Sequence, residues 1–234
     1  MIIKQFHKNK PKQIDKERIP VMIGLILKEL KNHAPFTILG TFSGILIMVF
    51  SQNLPYKVSY DLFYVLHPMH VFLSALVTAA IYNLHECNCV NGKCLKGKCN
   101  FWLLIVIGYT GSVGIATISD SIIPYIAEVM LNMPNKGIHI GFIEKWWLVN
   151  PLAFLGIAVA YFKPTTKFSH AGHVLISTWA SLFHILMAKE GSLNLVSYLI
   201  IFIFLFLAVW IPCCFSDIVF PLLFVKKIDR EKSS

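Results

Sequence analysis

Charged residues are scarce in this chain. They make up 14% of its 234 residues, and only 12 residues are Asp or Glu. Soluble domains usually carry about 25% charged residues, so this composition excludes an ordinary soluble domain. A Gly-rich phosphate loop, a nucleophile elbow and a His-Glu-x-x-His motif are also absent from the sequence. The common nucleotide-dependent and hydrolytic enzyme classes therefore have no support, and we expect no organic cofactor.

Apolar residues are abundant, at 56% of the chain, and they occur in long runs. A helix needs roughly 20 apolar residues to cross a bilayer core. Six stretches approach or exceed that length, which predicts an integral membrane protein whose main partner is the lipid bilayer. The predicted spans are about 34–51, 62–84, 101–130, 147–162, 170–188 and 195–225.

The net charge of +9 raises the question of a nucleic-acid partner, but the distribution of the basic residues argues against one. With the N-terminus inside, the inner segments hold 17 Lys and Arg residues and the outer segments hold 4. Basic residues concentrate on the cytoplasmic side of membrane proteins. The sequence therefore predicts that both termini are cytoplasmic and that no nucleic acid is bound.

Three motifs occur twice, in the same order, which indicates an internal duplication. Because each copy contains three predicted spans, the second copy must run opposite to the first, as in transporters built from inverted repeats. The paired motifs are Pro35 to Gly40 with Pro151 to Gly156, His67-Pro-Met-His70 with His170-Ala-Gly-His173, and Ser119-Asp120 with Ser216-Asp217.

The predicted fold is an all-α membrane protein with six transmembrane helices in a 3+3 inverted repeat, preceded by an amphipathic interfacial helix at 19–32. Glycines and prolines within the third and sixth spans are the predicted helix breaks. The predicted regions are a basic cytoplasmic tail with the interfacial helix at 1–32, repeat 1 at 33–130, an outer loop at 131–146, repeat 2 at 147–225 and a basic tail at 226–234.

The duplicated polar residues predict a metal pathway. A charged side chain at the bilayer centre costs roughly 2.5–3.5 kcal/mol, so a repeated intramembrane Asp favours a site over chance, although a hydrogen-bonded Asp that holds a helix break is the alternative. His-x-x-His places two imidazoles on one helix face, and two His with one carboxylate suit Mn, Zn, Fe, Co or Ni. Packing histidines are the alternative. The predicted metal ligands are His67, His70 and Asp120 in one half and His170, His173 and Asp217 in the other, and the predicted path residues are Ser74, Thr78, Ser119, Ser177, Ser181 and Ser216.

Cysteines form a second candidate metal site in the predicted cytoplasmic loop at 85–100. Their spacing is Cys-x-Cys-x4-Cys-x4-Cys, and a reducing compartment leaves soft-metal capture or sensing in place of disulfides. Incidental cysteines or a structural clasp are the alternatives. Cys213 and Cys214 precede the second Ser-Asp motif, where they either soften the metal preference or serve as small packing residues. The loop cysteines are Cys87, Cys89, Cys94 and Cys99.

Four strings of the sequence resemble one known family. They begin at His67, Ile118, Trp147 and His170. Over about 33–225 the chain resembles the manganese transporter or heavy-metal exporter family of prokaryotic permeases. The resemblance implies a polytopic metal permease of the prokaryotic inner membrane.

These patterns together predict a transporter, not an enzyme, that exports divalent transition-metal ions. Because a unit of six spans is small for a transporter, a homodimer is the expected assembly. Export is favoured because a cytoplasmic cysteine loop suits metal collection from inside. Two alternatives stay open. One is an intramembrane metal-dependent hydrolase, which needs an open coordination position and a nearby acid or base. The other is a membrane metal sensor that acts through the cysteine loop.

Overall fold

Helices account for most of the chain. The computed structural model describes the backbone of residues 14–86, 89–90, 93–94, 100–163 and 167–224, without the side chains of 14–22, 25–26, 29, 32, 85–99, 164–171, 214 and 217–218. The α-helices are α1 (Ile14–Phe50), α2 (Tyr56–Glu86), α3 (Phe101–Tyr109), α4 (Ile115–Thr117), α5 (Ile123–Met130), α6 (Gly141–Glu144), α7 (Trp146–Phe162), α8 (Lys167–Ala188), α9 (Leu195–Cys214) and α10 (Phe220–Leu223). Three π-helical turns are π1 (Thr110–Gly114), π2 (Ile118–Ile122) and π3 (Phe215–Val219). Strands β1 (Cys89–Val90) and β2 (Lys93–Cys94) pair antiparallel in the predicted cysteine loop.

Within the residues that the structure describes, four helical stretches are long and apolar enough to cross a membrane: His33–Phe50, Tyr56–Leu84, Phe101–Met130 and Leu195–Cys213. The other two predicted spans correspond to shorter apolar helices, Trp146–Phe162 and Gly172–Ala188. The described part of the chain is therefore predominantly helical and contains four helices of spanning length, and the count of six spans stays a prediction. The basic tails at 1–13 and 225–234 lie outside the described residues.

The N-terminal helix differs from the expected pair of elements. The predicted interfacial helix at 19–32 and the first span are joined in α1, a single helix of 37 residues. Pro35 lies inside this helix, where it withholds an N–H from the carbonyl of Lys31. Since Lys31 is exposed, that carbonyl can bond to solvent, which allows the helix to continue. Pro151 likewise lies inside α7.

The third span contains π-helical turns where breaks were expected. Helical structure continues from Phe101 to Met130, with π1 and π2 inserted between α-helical pieces. Both Ser-Asp motifs fall in π turns, in π2 and π3, and each is followed by a proline in the first turn of the next helix, Pro124 or Pro221. Each proline lacks the N–H that an α-helix would direct to the Asp carbonyl four residues earlier. A widened turn is a common response to that loss, and such turns are frequent at functional sites.

Helix α2 packs along both α7 and α8, and α1 packs against α8 and α9. Two glycines mark equivalent contacts. A Cβ on Gly40 would meet Leu175 and Thr178 of α8, and a Cβ on Gly156 would meet Phe72 and Ala75 of α2. Both α8 contacts stand 103 residues after the α2 contacts, the same interval that separates the two His-x-x-His motifs. The first helix of each predicted repeat therefore packs on the second helix of the other.

Apolar side chains cover the outer faces of the helices as well as the interior. Many large apolar side chains are exposed, among them Leu39, Phe42, Phe154, Leu199 and Ile203. The interior holds clusters of buried apolar side chains together with buried His, Ser, Thr, Asp and Glu side chains. Large exposed apolar surfaces mark contact with another apolar phase, which for helices of this length fits a lipid bilayer.

Candidate metal site

Asp120 lies at the centre of a buried polar cluster. Its position in π2 directs the carboxylate toward α2, where Oδ2 is 2.9 Å from Nδ1 of His67 and 2.7 Å from Nδ1 of His70. A neutral imidazole that donates to the carboxylate through Nδ1 carries its proton on Nδ1, and its Nε2 then has a lone pair. Asp120 therefore orients both imidazoles through their Nδ1 atoms. The Nε2 atom of each ring faces away from Asp120 as a potential metal ligand.

The second oxygen of Asp120 accepts hydrogen bonds from two serines. Ser119 Oγ donates to Oδ1 at 2.7 Å, and Ser177 Oγ from α8 donates to the same atom at 2.8 Å. With the two imidazoles, four donors surround a fully buried carboxylate. A buried charge is stable only when its hydrogen-bonding capacity is met, and this set of donors meets it.

Next to Asp120, three helices bring together potential metal ligands. His70 of α2, His173 of α8 and Cys213 of α9 each offer one ligand atom, and these atoms lie within 4.8 Å of one another. The His70 and His173 rings are stacked, with centroids 5.7 Å apart and an interplanar angle of 3°. Cys213 Sγ is 3.9 Å from His70 Nε2, the nitrogen that faces away from Asp120. All three side chains are buried.

The hydroxyl groups predicted to line the path form reciprocal contacts between the two predicted repeats. Ser177 Oγ is 3.4 Å from Ser119 Oγ, and Ser181 Oγ donates to the Ser119 carbonyl at 3.0 Å. In the other half, Ser74 Oγ is 3.1 Å from the hydroxyl oxygen of Ser216, whose carbonyl accepts a hydrogen bond from Thr78 at 3.3 Å. Each hydroxyl stripe therefore contacts the Ser-Asp turn of the opposite repeat.

The structure groups the predicted ligands differently from the expected one shell per repeat. His67, His70 and Asp120 lie together, but His173 of the second repeat stacks on His70 of the first. Asp120 is hydrogen-bonded to the imidazoles, which places it behind them as the group that orients them. The side chains of the remaining predicted ligands lie outside the described residues: His170, Asp217, Cys87, Cys89, Cys94 and Cys99.

The sequence alone indicates no role for His184. For Glu128 and Glu144 it favours solvated charges over cation attraction, and Glu128 is also the extra intramembrane carboxylate that a metal-dependent hydrolase would need. In the structure Glu128 is buried and its Oε1 lies 2.7 Å from Nδ1 of His184. A signal for this pair was present, because His184 continues the stripe of His173, Ser177 and Ser181 on one face of α8. Cys213 was predicted either to soften the metal preference or to serve as a small packing residue, and in the structure it is one of the three potential ligands of the cluster.

The connection between α5 and α7, residues 131–145, covers one end of this polar interior. Gly141 lies so close to His67 that a Cβ there would be 2.5 Å from the imidazole, and Ser121 Oγ donates to the carbonyl of His139 at 2.6 Å. Glu144 accepts hydrogen bonds from Tyr64 and His139. Burial alone would raise the pKa of the Glu144 carboxyl, but these hydrogen bonds outweigh it and hold the pKa below its ordinary value.

The fold and the buried cluster define the class as a helical membrane protein with a candidate metal site between its helices. Comparison of the chain with models of protein families, with curated proteins and with solved structures gives no match. The resemblance to manganese transporters and heavy-metal exporters therefore stays a prediction.

Proposed function

We propose that this protein is a membrane transporter of divalent transition-metal ions. The observation that carries the proposal is the cluster of His70, His173 and Cys213, three buried ligands from three different helices with ligand atoms within 4.8 Å of one another. A tetrahedral zinc site, with bonds of 2.0–2.3 Å, has its ligand atoms about 3.3–3.8 Å apart. The separation of 3.9 Å between Cys213 Sγ and His70 Nε2 is close to that range.

The charges of the cluster support a divalent ion. A metal-bound Cys213 is a thiolate with one negative charge, and the carboxylate of Asp120 supplies a second. A divalent cation then brings the net charge of the buried site to zero, which minimises the cost of burying it. Asp120 behind His70 also forms the carboxylate–histidine arrangement that fixes imidazoles on metals.

The ligand set favours some of the expected metals over others. Thiolate ligands prefer softer ions, so the site suits Zn²⁺, Co²⁺ or Ni²⁺ better than Mn²⁺. We propose export as the direction, because the predicted cytoplasmic cysteine loop would collect soft metal from inside. The predicted location is the prokaryotic inner membrane, with six spans, cytoplasmic termini and a homodimer as the assembly.

Transport is supported over static metal storage by the position of the cluster between the predicted repeats. One ligand comes from the first repeat and two come from the second. The α8 residues that contact Gly40 stand 103 residues after the α2 residues that contact Gly156. The hydroxyl stripe of α8 stands 103 residues after that of α2. In transporters built from inverted repeats, the substrate lies at the interface of the halves, and rocking of one half against the other exposes it alternately.

The test combines metal binding with flux. Purified full-length protein is titrated with Zn²⁺ and reconstituted in proteoliposomes that contain a zinc-sensitive dye. We expect one high-affinity Zn²⁺ per chain and time-dependent uptake in the wild type, with both lost in His70→Gln and Cys213→Ser. His33→Gln, which changes a buried histidine of α1, is the matched control and should keep both.

Normal binding and flux in both ligand variants would contradict the proposal. Binding without flux in the wild type would favour a sensor or an enzyme over a transporter. Circular dichroism and size-exclusion profiles of each variant separate loss of a ligand from loss of the fold.

A further inference from the structure

A second buried pair lies apart from the metal cluster, between α5 and α8. Glu128 and His184 are both buried, and Glu128 Oε1 is 2.7 Å from His184 Nδ1. The other carboxylate oxygen, Oε2, accepts a hydrogen bond from the Gly137 backbone N–H at 3.3 Å. Among the described residues, His184 is the basic side chain paired with this carboxylate. The proposed metal site makes no use of this pair.

Proton counting shows what the pair can bind. With a single shared proton, Glu128 is ionised and His184 is neutral, so a buried site carries one net negative charge. A second proton brings the net charge to zero, either as an imidazolium–carboxylate ion pair or as two neutral groups. In the described part of the chain, the buried Nε2 of His184 has no hydrogen-bond partner. This nitrogen is the atom that can accept the second proton.

A route connects the pair to the surface. The His139 ring lies 5.4 Å from the His184 ring, and its Nδ1 lies 3.3 Å from Glu144 Oε2. The side chains of His139 and Glu144 are partly exposed. Imidazole and carboxylate groups thus lead from solvent, at the 131–145 connection, to the buried pair. The other titratable groups around this region are Tyr60 and Tyr64 of α2, Lys145 before α7, Lys189 after α8 and Tyr198 of α9.

We propose that Glu128 and His184 form a proton-binding site that is loaded through His139, and that this proton is the coupling ion of transport. The coupling rests on the proposed metal transport, whereas the proton site itself does not. Helix α8 links the two sites, because His184 stands 11 residues after His173 on the same helix, a rise of about 16 Å. Movement of α8 would therefore displace both His173 in the metal site and His184 in the proton site.

The proton site is tested without metal. Full-length protein labelled with ¹⁵N-histidine is placed in nanodiscs with a chelator, and the signal missing from His184→Gln identifies His184. We expect the Nε2 signal of His184 to change as the pH is lowered in the wild type and to stay fixed in Glu128→Gln, where no carboxylate stabilises the imidazolium. Glu190→Gln replaces an exposed carboxylate and is the matched control. In this variant the Nε2 signal of His184 should change with pH as it does in the wild type.

A His184 signal that is constant in the wild type, or that titrates identically in Glu128→Gln, would overturn the proton site. Glu128→Asp keeps the carboxylate and should retain the titration, which provides a second variant if Glu128→Gln does not fold.

Coupling is measured in proteoliposomes with a Zn²⁺ gradient and an internal pH dye. We expect Zn²⁺ flux to drive an opposite proton flux in the wild type, and this proton flux to fall at least tenfold in Glu128→Gln while Zn²⁺ still binds to the protein. Zn²⁺ flux without proton movement in the wild type overturns the coupling and leaves the proposed transport intact. Absence of all Zn²⁺ flux in the wild type would contradict both the proposed transport and its coupling to protons. The histidine titration would still test the proton site.

Discussion

Replacement of Gly156 by alanine tests the close contact between α7 and α2. An added Cβ would lie 2.4 Å from the Phe72 carbonyl oxygen and 3.2 Å from the Leu76 nitrogen, both backbone atoms of α2. Ordinary contacts begin near 3.4 Å, so the helices must separate by about 1 Å because no rotamer change relieves the clash. Overpacking of this kind costs about 1–3 kcal/mol, and the helix propensity of alanine returns up to about 1 kcal/mol. We expect a net loss of about 1–2 kcal/mol in the free energy of unfolding.

The assay is reversible unfolding of the purified protein in mixed micelles, followed by circular dichroism. Gly114 has no atom within 4 Å of an added Cβ, so Gly114→Ala should cause no loss of stability. Gly40 would meet the Thr178 hydroxyl at 3.1 Å, and since that side chain can rotate, Gly40→Ala should fall between the other two. Equal stability of Gly156→Ala and Gly114→Ala would refute the packing argument.

Three further outcomes are expected. Asp120→Asn should weaken Zn²⁺ binding 10- to 100-fold in calorimetric titration, because the group that orients His70 loses its charge, and unchanged affinity would contradict this role. Replacement of the four loop cysteines by serine should leave Zn²⁺ flux in proteoliposomes intact, whereas a sensor would lose its response. Because the pKa of Glu144 is lowered on folding from the ordinary value of 4.5, its stabilising contribution is present above that pH and is lost as the pH falls toward the lower folded-state pKa. Glu144→Gln should abolish this part of the acid sensitivity measured by unfolding at pH 3–6, and Glu190→Gln should preserve it.

The spans could be predicted because membrane crossing depends on the length and composition of each segment, which are local properties. Four of the six predicted spans have spanning length in the structure. His67, His70 and Asp120 were predicted as the ligands of one repeat, and in the structure both imidazoles lie within hydrogen-bond distance of the Asp120 carboxylate. The first span was predicted at about 34–51, and the structure has a spanning stretch at His33–Phe50. The interfacial helix at 19–32 was expected as a separate element but is continuous with this span in α1, because a proline inside a helix is tolerated where the carbonyl four residues earlier reaches solvent.

The contacts between the repeats could not be predicted in the same way. The stacking of His70 on His173 and the approach of Cys213 depend on the rotation of each helix about its own axis. A segment that is apolar on all faces carries little periodicity from which that rotation can be read. The pairing of Glu128 with His184 was not predicted either, because the polar stripe of α8 indicates which face carries His184 but not which carboxylate of another helix meets it.

The π turns of the third span have a consequence for its periodicity. From Trp102 to Met130 every fourth residue is exposed, and from Leu104 to Glu128 every fourth residue is buried. A regular α-helix advances 400° in four residues and would drift by about 40° each time, or roughly 280° over seven such steps. The extra residue of π1 and that of π2 each remove about 100° of that drift. Residues spaced four apart therefore stay on nearly the same side of the helix along the whole span and form one buried row. Asp120 and Glu128, eight residues apart, lie in this row, and the metal cluster and the proton site are therefore served by one face of one helix.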